Sequence, residues 1–178
     1  MKDMVITGTA WVITDPETGR LIDNIDTDMI YHNAHLAVTE VEKMGTFTFG
    51  NLKGWEDFPR KAKPGDIVVA GVNFGSGSSR QHAVDCFKAL GISVIIAGSY
   101  GAIYKRNAIN SGLPVITFPE VAKSGIKTGD VLKVNLETGV VENITTSKIL
   151  NGVQPFSPVQ ADIYKAGNLF EYAKSLAV

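Results

Sequence analysis

The sequence predicts an α/β fold built on a parallel central sheet, and three stretches carry that prediction. DIVVAGVNF (66–74) is a continuous apolar run closed by turn residues, the pattern of a strand covered on both faces. ISVIIAG (92–98) and LPVITF (113–118) repeat the pattern, and each follows a segment with helical spacing. Strand, helix, strand, helix, strand at this tempo indicates parallel strands joined by crossover helices.

Taken in order, Val5–Thr14 is rich in Val, Ile, Thr and Trp and opens as a strand or one half of a hairpin. DPETGR (15–20) is turn text, and NIDTDMI (24–30) is a polar loop with Thr27 between two acids. Residues 34–46 read as a short helix ending at Gly45, and 47–65, with Gly50, Gly54, Pro59, Pro64 and Gly65, as irregular loop. SSRQHAVDCFKALG (78–91) sets Ala83, Cys86, Phe87 and Leu90 at helical spacing and stops at Gly91, as a C-terminal cap would. GAIYKRNAINSG (101–112) is the next helix, stopped by Gly112. DVLKVNLETGVVENITT (130–146) alternates about Glu137-Thr138-Gly139 and predicts a β-hairpin. Residues 159–176, with Ile163, Leu169, Tyr172, Ala173 and Leu176 and a break at Gly167, close as an amphipathic helix. Hairpins are thus expected to flank the central sheet in one domain spanning 1–178.

Composition excludes several function classes. With 178 residues, 44% hydrophobic and 20% charged, the chain can bury one full core and is not expected to be disordered. Seventeen basic against eighteen acidic residues leave no electrostatic footprint for nucleic acid or an anionic membrane. The single cysteine, Cys86, permits no internal disulfide, and the opening MKDMVITGTAWVITD has no apolar signal core; a cytoplasmic protein is expected. One thiol is also too few for an iron–sulfur cluster, which takes about three or four.

NFGSGSSRQH (73–82) is the stretch with chemistry in it. Gly75 and Gly77 with Ser78 stand between a buried strand and a helix start, where backbone N–H groups favour an anion. The spacing is not GxGxxG, and the Walker ending is missing. Ser78-x-x-Gln81 fits a capping box, a purely structural role. Capping leaves Arg80 unexplained, because a cation is disfavoured in a first helical turn unless an anion faces it. Arginine also offers a planar fork for a carboxylate or phosphate.

FGSGSSRQHA resembles the GxGSSRxHA stretch of the aconitase superfamily's swivelling domain. NIDTDMI is similar to that family's aspartate loop, VIIAGSYGAIYKRNAINSGLPVI to its next strand–helix–strand, and GDVLKVNLETGVV to its trailing strands. The resemblance covers nearly the whole chain and implies a β/β/α swivelling domain. The chain's size points to a separately encoded small subunit of the isopropylmalate-isomerising type. The implied reaction removes water from a hydroxy acid and returns it to the neighbouring carbon. By the same resemblance Ser78 is the base, Ser79 and Arg80 bind the substrate carboxylate, and Asp28 orients an arginine or the substrate.

The family's [4Fe–4S] cluster sits in the large subunit, so the resemblance implies a cluster-bearing partner, a shared active site and no metal held by this chain. The loop after the aspartates tunes specificity in the family. Here it reads YHNAHLAV (31–38), without arginine and with an apolar Leu36-Ala37-Val38. That suits a small alkylmalate such as isopropylmalate better than a substrate with a third carboxylate. The loop departs from the family's wording, which has proline near His32 and a basic–aromatic pair near Ala34-His35. His32 and His35 could hold a carboxylate if protonated. Homoaconitate, citramalate and dimethylmalate stay open as substrates. A non-catalytic anion-binding module and a merely well-capped helix are the readings from other classes. For Cys86 a packing role is expected, for His82 either a packing role or contact with the site, and for Lys105 and Arg106 a solvated helix face.

Overall fold

The computed structural model describes residues 2–177. Strand β1 (Val5–Val12) is followed by three short helices, α1 (Thr27–Ile30), α2 (Val41–Met44) and α3 (Phe58–Lys61). Then come β2 (Ile67–Ala70), α4 (His82–Ala89), β3 (Val94–Ala97), α5 (Ala102–Asn110) and β4 (Val115–Thr117). The chain continues through β5 (Val131–Asn135), β6 (Val141–Asn143), β7 (Lys148–Leu150), α6 (Pro158–Ala166) and α7 (Leu169–Leu176).

The strands form one sheet in the order β4-β3-β2-β1-β5-β6-β7. The β1 to β4 half is parallel, and the half from β1 through β5, β6 and β7 is antiparallel. β1 belongs to both halves: Ala10–Val12 pair with β2, and Val5–Thr9 pair with β5. Gly8 lies near the changeover, where a Cβ would overlap the Gly65 carbonyl. The expected α/β class with a parallel centre is therefore observed. The hairpin text at 130–146 does not stand apart from the sheet, however; it extends the sheet through β1 and curls it.

Two cores follow from strand alternation. Val68, Ala70, Ile95, Ala97 and Val115 pack with Ala83, Val84, Cys86 and Phe87 of α4 and with Tyr104 and Ala108 of α5. Ile67, Val69, Val94, Ile96 and Ile116 face the other way and meet Leu132, Val134, Val141 and Leu150 from the antiparallel half. The parallel strands are covered on both faces, which is why they read as unbroken apolar runs. Two β layers and one helical layer result.

Several boundaries differ from expectation. Two segments read as loop contain short helices, α1 and α3; Asp26 caps the first, and Pro59 lies in the first turn of the second. Of the helix expected over 34–46 only α2 forms, after a 3-10 turn at Asn33–His35. α4 begins at His82, not at Ser78, so Ser78, Ser79 and Arg80 lie in the preceding loop. Gln81 sits at its N-cap without a side-chain cap and reaches forward to Asp85 at 3.0 Å. No capping box forms there. The box forms instead at Ser157, whose Oγ accepts from the Gln160 N–H while Gln160 Oε1 accepts from the Ser157 N–H. The single closing helix is two helices, because Gly167 at φ 106° ends α6.

Ser157→Ala is expected to lower the unfolding free energy by about 1 kcal/mol, read as a shifted urea midpoint at unchanged slope.

Candidate active site

The loop following β2 leaves the sheet at the carboxyl end of a parallel strand, where open α/β sheets place their ligands. Two neighbouring segments hold it in place. Gly75 N–H donates to the Ile25 carbonyl at 2.7 Å, and Thr27 N–H donates to the Ser76 carbonyl at 2.9 Å. On the other side Phe74 N–H donates to the Ser99 carbonyl, and Gly101 N–H to the Phe74 carbonyl. Gly75 is buried at φ 74°, and a Cβ there would overlap the Tyr104 ring. Tyr104 is itself fixed by donating its hydroxyl to the Ala83 carbonyl at 2.9 Å. Gly77 has φ 99°, a left-handed turn that glycine adopts without strain.

This clamp sets the DTD segment against the SSR segment. Asp26 Oδ1 accepts from the N–H groups of Asp28 and Met29 and so starts α1. Thr27, 2% exposed, places Oγ1 3.0 Å from Ser78 Oγ. Arg80 turns its Nη1 to Asp28 Oδ1 at 3.0 Å and to the Tyr31 carbonyl at 2.7 Å, with the Thr27 carbonyl at 3.4 Å. Asp28 Oδ1 also accepts the Asn33 N–H at 3.0 Å, and Asn51 Nδ2 donates to Oδ2 at 3.1 Å. The Arg80 side chain is only 13% exposed, whereas that of Asp28 is 38% exposed. Partial burial opposes ionisation of Asp28, but the hydrogen bonds from Arg80 and the Asn33 N–H outweigh it and draw its pKa below the ordinary value. Arg80 Nε and Nη2 have no protein partner among the described residues, which leaves half of the guanidinium fork for a ligand.

Ser78, Ser79 and Gly77 are exposed. The N-terminus of α4 lies at His82 and not at Ser78, contrary to the expectation that placed the three SSR residues in a first helical turn. Of the two glycines expected to offer backbone N–H groups to an anion, Gly75 has its N–H taken by the Ile25 carbonyl, whereas Gly77 has no such bond among the described residues.

The 31–38 loop is tied to the same place. Tyr31 offers its carbonyl to Arg80, and the Val38 carbonyl lies 3.2 Å from His82 Nε2. The His82 ring packs at 5.2 Å from that of Tyr31. His35 stacks on Phe47 at 4.0 Å, so its ring is occupied. His32 Nδ1 accepts the Ala34 N–H at 3.1 Å, which a doubly protonated ring could not do. Leu36 and Ala37 are exposed, and Val38 is half-buried against the core. Lys105 departs from the solvated face expected of it, since its Nζ lies 3.1 Å from Thr117 Oγ1. Arg106 is exposed.

Thr27 and Asn51 are the site neighbours that sequence reasoning passed over. Thr27 read as part of a polar loop, and its burial against Ser78 had no local signal. Asn51, in text without periodicity, gave no signal.

Cys86 is fully buried in the helix-side core, and burial pushes its thiol pKa up to about 12. A thiol held protonated among apolar groups is a packing residue and a poor metal ligand. Among the described residues no cluster of three or more His, Cys, Asp or Glu is arranged to hold a metal, and no helix is long and apolar enough to cross a membrane.

Residues 21–121 match the family described as aconitase C-terminal domain. The chain is 44% identical to the isopropylmalate/citramalate isomerase small subunit of Methanocaldococcus jannaschii, over 85% of this chain and 88% of that one. It is 36% identical to the 3-isopropylmalate dehydratase small subunit of Nautilia profundicola, over 97% and 96%. The crystal structure of a 3-isopropylmalate dehydratase from M. jannaschii superposes with a TM-score of 0.84 at 32% identity, covering 97% of this chain and 95% of that one.

Because the folded-state pKa of Asp28 lies below an unfolded value near 3.9, its contribution to stability is present at neutral pH and is lost as pH falls through the folded value. Asp28→Asn is therefore expected to be less stable than the parent at pH 7, with the two denaturant midpoints converging below about pH 4.

Proposed function

Because the chain belongs to the family of aconitase C-terminal domains, we propose that it is the small subunit of a two-subunit hydro-lyase that interconverts 2-isopropylmalate and 3-isopropylmalate, a step of leucine biosynthesis. The observation that carries this reading is the exposed Ser78 Oγ beside an Arg80 whose guanidinium is anchored on one side and unpartnered on the other.

In this reading Ser78 takes the proton next to the substrate carboxylate and returns it when water adds back to the neighbouring carbon. A serine hydroxyl is too weak an acid to do this unaided, so its anion requires local stabilisation. Arg80 Nε and Nη2 grip the carboxylate as a fork, and the Ser79 hydroxyl adds a donor. As the proton leaves, charge spreads onto that carboxylate, and a guanidinium already fixed by Asp28 and the Tyr31 carbonyl needs no reorganisation to meet it. Departure of the hydroxyl calls for a Lewis acid, supplied in this family by a [4Fe–4S] cluster that we assign to the large subunit. The residues of this chain do not fit that cluster: its one thiol is buried and held protonated. The chain is then half of an active site, working in the cytoplasm when docked.

The alkyl preference rests on the 31–38 loop, which presents Leu36 and Ala37 outward and has no arginine. A third carboxylate would stay unpaired against that surface at high cost. Citramalate, with a methyl in place of the isopropyl group, is the second reading, favoured by the 44% identity to a relative named for both substrates.

The test mixes this chain with its anaerobically prepared large subunit and follows the absorbance of the alkene acid over a panel of malates. Ser78→Ala is expected to lower kcat by about 10²–10⁴-fold with the fold intact; near-normal turnover removes Ser78 from the mechanism. Arg80→Lys, which keeps the charge and loses the fork, is expected to raise KM and lower kcat together. Tight nucleotide binding without the partner would favour a non-catalytic module instead.

A further inference from the structure

We propose that Thr27 tunes Ser78, donating its hydroxyl proton to Ser78 Oγ and stabilising the serine oxygen as an anion. The inference rests on the reading of Ser78 as the base.

The direction of the hydrogen bond follows from satisfying both hydroxyls. Thr27 is 2% exposed, and among the described residues its Oγ1 has one hydrogen-bond partner, Ser78 Oγ at 3.0 Å. Ser78 is exposed, so water or substrate can take its own proton. If Ser78 donated to Thr27, the buried Thr27 proton would have no acceptor, a loss of about 1–3 kcal/mol. If Thr27 donates, both groups are satisfied. A donor aimed at an oxygen favours its charged form and lowers its pKa. α4 begins only at His82, so its N-terminus does not reach Ser78, and this bond is the contact that does.

The geometry is also held from several sides. The Thr27 N–H is bound to the Ser76 carbonyl, and its own carbonyl accepts from the Tyr31 N–H at 3.0 Å and from Arg80. Gly77 passes beside it, where a Cβ would stand 3.3 Å from Thr27 Oγ1. Threonine also suits the position better than serine, because its branched Cβ restricts χ1. Thr27 is thus a positioning residue that acts through Ser78, with no contact to substrate required.

The experiment uses the reconstituted two-subunit enzyme with Thr27→Val, which keeps the shape and removes the hydroxyl, and Thr27→Ser, which keeps the hydroxyl. Thr27→Val is expected to lower kcat about tenfold or more with KM nearly unchanged. The limb of the pH–kcat profile on which the base loses its proton should move to higher pH, since removing the donor raises the pKa of Ser78. Thr27→Ser should restore both. Melting curves establish that each variant folds; should Thr27→Val fail to fold, Thr27→Cys, a weak donor of similar size, takes its place and must also shift the limb upward. An unmoved limb, or a loss confined to melting temperature, overturns the proposal. Near-normal activity of Ser78→Ala would overturn the base reading itself, whereas an inactive Ser78→Ala beside an unaffected Thr27→Val would overturn this inference alone.

Discussion

The site depends on a short backbone pairing between residues 25–27 and 74–76. Two N–H···O bonds, from Gly75 to Ile25 and from Thr27 to Ser76, bring together segments some fifty positions apart in the chain. The pairing is possible because Gly75 has no side chain where the Tyr104 ring lies, and because its φ is positive. Once it forms, Thr27 meets Ser78 and Asp28 meets Arg80 without further adjustment. Backbone hydrogen bonds have fixed geometry, so they pass their precision to the side chains on either side.

Within that frame the electrostatics centre on a mostly buried guanidinium. A cation withdrawn from water needs compensation, and Arg80 finds it in one carboxylate and a peptide carbonyl at its Nη1 end. Asp28 is held in turn by Asn33 and Asn51, and Asp26 sets the start of α1 that carries it. Compensation at one end alone is what leaves the other end able to bind. Had a second carboxylate covered Nε and Nη2, the ion pair would have been complete and inert.

The site is also open. Ser78 and Ser79 lie at the surface, and a groove of about 620 Å³ between the 12–23 and 121–128 segments includes none of the SSR residues. Openness is consistent with the proposed reading, in which a second polypeptide covers this loop, because a lone serine in water has neither a low dielectric nor a Lewis acid to work with.

Much of this was legible in the residues. The apolar runs at 66–74, 92–98 and 113–118 announced buried parallel strands, since a strand covered on both faces has no polar side to show. Gly91 and Gly112 marked helix ends through their positive φ. The SSR and DTD text singled out Asp28, Ser78 and Arg80, which the fold then brings into one place, because few structural roles call for arginine beside two serines. Where α4 begins was not legible: Ser78-x-x-Gln81 carries capping-box text, yet the same text forms a box only at Ser157, where no long-range pairing competes for the backbone. The bond between Thr27 and Ser78 and the reach of Asn51 to Asp28 were equally hidden. Local sequence determined which elements form and which side chains have chemistry to offer, because periodicity and turn preference act over a few neighbouring residues. Tertiary structure alone decided which of those side chains touch, because a contact across fifty residues depends on two loops meeting at a glycine.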